Sequence, residues 1–151
     1  MSSKHQITRN IGLYHVAREL SVFGWNVILT TRNAKGADLY ACSGDERTIH
    51  PIQVKTQSGK PEDTSLGLQP ESLVTPWWVF VVQARTADIC CYLLSLDQVR
   101  SNMTRDPGTR SLKPEGERIW WLDRRFSTPG SDREITGAKS AWELLGVPRS
   151  L

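Results

Sequence analysis

Three polar side chains lie where the sequence predicts two neighbouring strands. Asp38 opens one apolar run, and Gln53 and Lys55 lie inside the next. Asp, Gln and Lys are each unfavourable in strands, so a site that uses them is the simplest reason for their presence. If the strands form a hairpin in which Cys42 pairs with Ile49, Asp38 lies directly across from Gln53 and diagonal to Lys55. Facing Cβ atoms of such a pair are about 5 Å apart, so the three side chains would share one small patch.

An acid, an amide and an ammonium group in one patch suit the hydrolysis of a phosphodiester with the help of a divalent cation. Magnesium prefers octahedral oxygen coordination and usually keeps several waters. Asp38 offers a carboxylate, Gln53 an amide oxygen, and the main-chain carbonyl of Val54 a third ligand. Lys55 would then orient the attacking water or neutralise the developing charge, and a nearby cation would lower its pKa so that it can act as a base.

The elements that must position these residues follow from the spacing of apolar residues. Apolar residues recur at helical spacing from Ile7 to Phe23, with Thr8 or Asn10 as the cap and Gly24 as the end. Strands are predicted over residues 25–31, 37–42, 49–57, 77–83, 89–95 and 119–122, and further helices over 96–102 and 138–145. Between them, residues 58–76 form a loop around a short helical turn near 70–74, and residues 103–116 and 124–137 lack regular structure. Pro51 requires that its strand be an edge there or begin just after it.

The order of these elements predicts an α/β fold with a central mixed β-sheet flanked by helices. At 151 residues the chain is long enough for one core, so we expect a single domain over 1–151. Its core spans residues 7–83, and residues 84–151 elaborate it.

The motif Gly36-x-Asp38 followed by Gln53-x-Lys55, behind a helix that carries Glu19, resembles the PD-(D/E)xK superfamily of restriction-endonuclease-like nucleases. The local run over residues 52–56 is similar to the branch of that superfamily that has glutamine in the acidic position. Restriction endonucleases, Holliday-junction resolvases and intron-homing endonucleases belong to the superfamily.

The resemblance implies an α-β-β-β-α-β core and a metal-dependent DNA endonuclease that uses Mg²⁺, with Mn²⁺ as a substitute. It implies that Asp38 binds the metal, that Gln53 takes the place of the second acid, and that Lys55 is the catalytic lysine. Glu19 would be the helix glutamate that joins the metal shell. Because one such site cuts one strand, the resemblance also implies a homodimer or a higher homo-oligomer.

DNA is the expected partner. Four residues flank the patch and are candidates for DNA contacts, namely Arg32, Lys35, Gln57 and Lys60. The net charge of +3 permits binding to nucleic acid without requiring it, and a solvated surface is the plainer interpretation of the charges.

Composition excludes several classes of protein. Charged residues make up 23% and hydrophobic residues 38% of the chain, which is ordinary for a soluble domain, and no apolar run is long enough to cross a membrane. Cys42, Cys90 and Cys91 form no CxxC pair, which predicts a reducing, cytoplasmic location without a structural metal. The histidines show no metal-binding spacing, and no phosphate-binding loop or hydrolase elbow motif is present.

Other interpretations of the same residues stay open. Asp38 could be a surface residue beside a turn, and Gln53 and Lys55 could form the solvent-facing side of an amphipathic strand. The neutral Gln53 favours a catalytically inactive DNA-binding or assembly module that retains the fold. A small-molecule-binding α/β domain is a third alternative. In each of the pairs Trp77-Trp78 and Trp120-Trp121 one member is expected in the core and the other at a binding surface or a dimer contact.

Overall fold

The computed structural model describes residues 3–31, 36–67, 69–105 and 119–148. The helices and strands are α1 (Lys4–Phe23), β1 (Asn26–Leu29), β2 (Leu39–Cys42), β3 (Ile49–Thr56), β4 (Thr64–Gly67), β5 (Trp77–Val82), β6 (Cys90–Ser95), α2 (Leu96–Asn102), β7 (Met103–Arg105) and β8 (Trp120–Leu122). Short 3₁₀ turns span Pro70–Ser72, Arg124–Ser127 and Trp142–Leu145.

Helix α1 begins three residues earlier than the apolar spacing predicts. Ser3 caps it, because the Ser3 hydroxyl accepts a hydrogen bond from the Gln6 amide at 3.1 Å. The predicted cap Thr8 instead donates its hydroxyl to the Lys4 carbonyl inside the helix. The predicted end at Gly24 is confirmed, since Gly24 is left-handed (φ 112°) and its amide donates to Leu20 and Ser21. Within the described ranges, no helix is both long and apolar enough to cross a bilayer.

The five-stranded main sheet has the order β1-β2-β3-β5-β6. All neighbours are antiparallel except β3 and β5, which run parallel. A helix, an antiparallel meander and a strand parallel to its last member confirm the predicted α/β class and the central mixed sheet. Where the α-β-β-β-α-β core is expected to have its second helix, the structure has strand β4 and the 3₁₀ turn at Pro70–Ser72.

The register of the meander agrees with the alternation of apolar and polar residues along its strands. Cys42 pairs with Ile49, as predicted, and the ladder of β2 and β3 ends at Leu39 opposite Ile52. Pro51 fits inside β3 because β5 begins only opposite Ile52, so no neighbour on that side requires the missing amide hydrogen.

The two faces of the main sheet bury different cores. Helix α1 packs on one face, where the buried residues include Val16, Leu20, Leu39, Ala41, Ile52, Val79 and Val81. Helix α2 and a second sheet cover the other face at β5 and β6, where the buried residues include Trp78, Phe80, Leu94, Val99, Met103, Leu122 and Phe126. Gln53 and Lys55 alternate with Ile52 and Val54 along β3, so they lie on the face opposite α1.

Two parts of the chain differ from the prediction. A three-stranded sheet of order β4-β8-β7 forms from segments of which only β8 was expected as a strand. The helix predicted over 138–145 is wrong, because Ser140 has a left-handed backbone (φ 50°) that interrupts it. Only the 3₁₀ turn at Trp142–Leu145 remains, and Lys139 forms an isolated bridge with Tyr92.

Candidate functional site

Asp38 lies at an irregularity just before β2. Its amide donates to the Ile52 carbonyl at 2.8 Å, although Ile52 already pairs with Leu39. Residues 38 and 39 therefore both face Ile52, which is the pattern of a β-bulge. Thr30, which directly follows β1, stabilises this irregularity. Its hydroxyl donates to the carbonyls of Ala37 and Asp38 at 2.9 and 3.0 Å. The prediction that Asp38 lies directly across from Gln53 is thus corrected for the backbone, which bonds to Ile52.

The side chain of Asp38 nevertheless reaches along β3 to the predicted patch. Its Oδ2 accepts hydrogen bonds from Gln53 Nε2 at 3.0 Å and from the Val54 amide at 2.8 Å. Oδ1 has no hydrogen bond or ion pair with any residue that the structure describes. The carboxylate is therefore anchored through one oxygen and presents the other.

The Val54 backbone faces Asp38. Strand β3 continues to Thr56, whereas β2 ends opposite Ile52, so β3 extends beyond its β2 neighbour. The Val54 amide bonds to the Asp38 carboxylate instead of to a strand. Since the amide and the carbonyl of one strand residue lie on the same side, the Val54 carbonyl also lies on the side of Asp38.

Lys55 is a half-buried cation that forms no ion pair within the described part of the chain. Neither a hydrogen bond nor an ion pair joins its ammonium group to any described residue. Burial lowers the pKa of Lys55, the Asp38 carboxylate opposes this shift, and the positive charge of Arg9 adds to it. Lys55 therefore loses its proton more readily than an exposed lysine, and its protonated form lacks a nearby counter-charge in direct contact.

Two separate cavities lie beside this patch, one on each face of the main sheet. The helix-side cavity, of about 410 Å³, lies between the first half of α1 and the end of β1, and Arg9, Asp38 and Val54 are among its lining residues. The loop-side cavity, of about 510 Å³, is lined by Gly36, Gln53, Lys55, Ser72, Leu73, Val74, Thr75 and Trp78. Asp38 lines the first cavity and Gln53 the second, so their hydrogen bond joins the walls of the two cavities.

Arg9 is a residue of the site that the sequence analysis missed. It lies on the exposed part of α1, lines the helix-side cavity, and is close enough to Lys55 to influence its pKa. It has no hydrogen bond or ion pair with the described part of the chain. Its place on the polar first turns of the helix gave no signal that would separate it from an ordinary surface arginine.

The structure does not bring Glu19 to the patch, which corrects its assignment as a metal ligand. Glu19 lies ten residues after Arg9 on α1, about 15 Å along the helix axis. Its carboxylate contacts His15 at 3.5 Å and Arg18 at 3.6 Å. It also lies near β6, where burial and then the Glu19 charge raise the pKa of the Cys91 thiol to about 12.

The predicted DNA-contacting residues have different surroundings. The Gln57 amide is used internally, because it donates to the Glu62 carbonyl and to the Thr64 hydroxyl and accepts from the Glu62 amide. Lys60 is exposed on the loop after β3 and lines neither cavity. Arg32 and Lys35 lie outside the described residues.

The residues of the patch fit a divalent cation only with help from a substrate. No group of three or more His, Cys, Asp and Glu side chains comes together within the described ranges. Asp38 is the one carboxylate among the described lining of either cavity, and Arg9 and Lys55 bring positive charge. Magnesium sites often combine one or two carboxylates with substrate phosphates, so this donor set suits an ion that binds together with a phosphate.

Comparison with known proteins adds a likeness to solved structures. No protein-family model matches the chain, and no curated protein matches it. Among solved structures, a Holliday junction resolvase from Archaeoglobus fulgidus is similar with a TM-score of 0.44 and 18% sequence identity. The similarity covers 73% of this chain and 86% of the resolvase chain.

Proposed function

We propose that this domain hydrolyses DNA phosphodiesters at the patch of Asp38, Gln53 and Lys55, with a divalent cation that binds together with the substrate. The observation that carries the proposal is the contact of Asp38 Oδ2 with Gln53 Nε2 at 3.0 Å and with the Val54 amide at 2.8 Å. This contact leaves Asp38 Oδ1 available, and nearby Lys55 has no anionic partner among the residues that the structure describes. A carboxylate and a cation in these positions can contact the same phosphodiester from two sides.

Charge balance supports a phosphate as the ligand. Arg9 and Lys55 place two cations around the single carboxylate of Asp38. Before a divalent cation binds, a phosphodiester with one negative charge would balance these three side chains in their charged forms. Phosphate contacts from Lys and Arg are the usual source of affinity for nucleic acid.

Asp38 Oδ1, the Gln53 amide oxygen and the Val54 carbonyl would hold Mg²⁺ or Mn²⁺. The ion would polarise the phosphate and lower the pKa of a bound water. In the structure Gln53 directs its amide nitrogen at Asp38, so offering its oxygen requires a half-turn of the amide and the loss of that hydrogen bond. Binding of the ion therefore competes with the Asp38–Gln53 contact, and a substrate phosphate would offset this cost.

Lys55 is suited to handle the proton of the attacking water. Because its pKa is lowered, Lys55 reaches the neutral amine more readily than an exposed lysine does, and this amine can accept a proton from the water as its oxygen bonds to phosphorus and the P–O bond to the leaving sugar oxygen breaks. The protonated form would stabilise the charge that develops on the phosphate oxygens. Both roles require the lysine to contact the substrate, and its place in the loop-side cavity permits that.

A second candidate function is DNA binding without cleavage. The single carboxylate of the patch favours it, because Glu19 does not reach the site. In that case Arg9 and Lys55 would hold a backbone phosphate, and Asp38 would serve only to hold the Val54 amide.

Nicking of supercoiled plasmid in Mg²⁺ or Mn²⁺ tests the proposal. We expect Asp38→Asn and Lys55→Met to lower the nicking rate about 100-fold or more. Asp88→Asn and Lys139→Met are matched controls, since both residues are exposed and line neither cavity, and they should retain wild-type rates. Equal nicking by all five proteins would reveal a contaminant and refute the enzymatic proposal.

The salt dependence of binding separates the two candidates from a small-molecule site. If no protein nicks but affinity for DNA falls steeply with salt, the non-catalytic function holds. Arg9→Met and Lys55→Met should each reduce the slope of log affinity against log salt by about one. An affinity that does not change with salt would exclude both nucleic-acid functions.

Cleavage of both strands of a duplex would need two such sites. We therefore propose that two copies of the domain act together on duplex DNA. Sedimentation that shows a monomer both with and without DNA would contradict this.

A further inference from the structure

We propose that the loop-side cavity binds one unpaired nucleotide next to the scissile phosphate, so that the domain prefers DNA with a nucleotide outside the helical stack over an intact duplex. This inference rests on the proposed function, because it takes the phosphate to lie at the patch of Asp38 and Lys55. Beyond that function, it specifies the form of DNA that the site binds most tightly.

The patch of Asp38, Gln53 and Lys55 lies between two cavities on opposite faces of the main sheet. The helix-side cavity is lined by α1 and β1, whereas the loop-side cavity is lined by residues 72–75 and by Trp78 from the opposite core. A phosphate that contacts Asp38 and Lys55 together lies at the edge of β3 and between these two cavities, because Asp38 lines one and Lys55 the other. The nucleosides on its two sides then approach opposite faces of the sheet. Neighbouring nucleosides that stay stacked cannot separate in this way, so one must leave the stack.

The chemistry of the loop-side cavity suits a nucleotide. Its volume of about 510 Å³ is within the range of small-molecule sites, and apolar groups of Leu73, Val74 and Trp78 form part of its wall. Thr75 is 4% exposed, and its hydroxyl has no hydrogen-bond partner in the described chain. An apolar wall, one buried hydroxyl and the Lys55 ammonium match a nucleotide, which has a flat apolar base with polar edges and a phosphate.

Hydrogen bonds hold the wall of this cavity in place. The Trp78 indole donates to the Thr75 carbonyl at 2.8 Å, and Arg100 donates to the Leu73 carbonyl. Gly36 completes the wall, since a Cβ at this left-handed glycine would lie 3.3 Å from the Thr75 hydroxyl oxygen. These hydrogen bonds hold the main chain on both sides of Val74, and so they position Thr75 in the wall of the cavity.

Binding of three DNAs at one fixed salt concentration, in EDTA, tests the proposal by fluorescence anisotropy. The DNAs are a perfect duplex, the same duplex with one unpaired nucleotide, and the corresponding single strand. We expect the wild type to bind the duplex with the unpaired nucleotide about tenfold more tightly than the perfect duplex. Thr75→Val should reduce this preference about fivefold without changing affinity for the perfect duplex. Thr136→Val, at an exposed threonine that lines neither cavity, should leave the preference unchanged.

A measurement on the wild type alone guards against misfolding of the Thr75 variant. The indole resonance of Trp78 reports on the cavity wall, while Trp25 lies in the core on the α1 side. In ¹H–¹⁵N spectra, DNA with the unpaired nucleotide should shift the Trp78 signal more than the perfect duplex does, with little change at Trp25. Equal affinities for the three DNAs, or equal Trp78 shifts, would overturn the inference. Nicking that still depends on Asp38 would then leave the proposed function intact, so the two failures are distinguishable.

Discussion

Gly12 of α1 lies so close to Thr56 of β3 that a Cβ built on the glycine would lie 1.9 Å from the Thr56 hydroxyl oxygen. Thr56 directly follows Lys55, and Arg9 lies about one turn before Gly12 on the helix. This contact therefore sets the separation between the helix that carries Arg9 and the strand that carries Lys55. The electrostatic effect of Arg9 on Lys55 depends on that separation.

We expect Gly12→Ala to destabilise the domain, although alanine is the better helix former. The helix propensity gained is about 1 kcal/mol, but a methyl group forced against Thr56 costs more, and we expect a net loss of about 1–2 kcal/mol. Urea denaturation measures the difference.

Gly59→Ala is the matched control for this contact, because nothing lies within 4 Å of a Cβ at Gly59. It should change the free energy of unfolding by less than about 0.5 kcal/mol. Adding Thr56→Ala to Gly12→Ala should recover part of the loss, as expected for residues in direct contact. A Gly12→Ala domain as stable as the wild type would show that α1 is not seated on Thr56.

The meander could be predicted from the sequence because its register is set by buried alternation. Leu39, Ala41 and Ile52 must all face α1, which excludes a shift of the pairing of β2 with β3 by one residue. That same constraint placed Asp38 near Gln53. The β-bulge at Asp38 could not be predicted, because it depends on one additional hydrogen bond to Ile52 and not on the type of any residue.

The three-stranded sheet could not be predicted from the sequence, and neither could the residue that α1 places near the patch. The reasons differ. Strands β4, β7 and β8 are three or four residues long, which is too short for alternation to be distinguished from a loop. For α1, the sequence shows that Glu19 and Arg9 are on one helix but not which turn lies over the end of β3. That depends on where Gly12 permits close approach.

Substitution of Glu19 tests the correction made to the metal shell. Since Glu19 contacts His15 and Arg18 and not the patch, Glu19→Gln should keep nicking within about twofold of the wild-type rate. The same assay on Asp38→Asn should show the loss described above. Loss of activity in Glu19→Gln, with an unchanged melting temperature, would mean that α1 moves toward the patch when DNA binds.

Substitution of Gln53 by glutamate tests whether the patch can hold a cation. A second carboxylate next to Asp38 replaces the hydrogen bond of 3.0 Å with repulsion between like charges. In EDTA we therefore expect Gln53→Glu to melt at a lower temperature than the wild type. Mg²⁺ or Mn²⁺ should raise the melting temperature of Gln53→Glu more than that of the wild type, because a ligand that binds only the folded state stabilises it.

Gln53→Ala is the control for this effect, since it removes the same hydrogen bond without adding a charge. It should show little response to either ion. If the melting temperature of Gln53→Glu does not respond to a divalent cation at millimolar concentration, the patch does not form the proposed metal site.

Removal of the Lys55 charge should stabilise the domain, most strongly at neutral pH. Burial lowers the pKa of Lys55 in the folded state, so between that pKa and the ordinary lysine value of about 10.4 the unfolded chain binds more protons. In that window the stability of the wild type rises with pH, and below it the full cost of the buried charge is present. Lys55→Met has no such charge and should exceed the wild type in free energy of unfolding near neutral pH.

The difference between Lys55→Met and the wild type should shrink as the pH rises toward about 10, because the folded domain then releases the Lys55 proton and no longer buries the charge, while the unfolded chain keeps it. Urea denaturation across this range measures it, and comparison of two proteins at each pH cancels the titration of other groups. Lys139→Met, at an exposed lysine, should give a small difference that does not change with pH. A difference for Lys55→Met that stays constant or grows with pH would show that Lys55 is paired in solution, and the cation offered to a phosphate would then not be available. A stabilised but inactive Lys55→Met domain would instead mean that the fold retains an unfavourable charge because the site uses it.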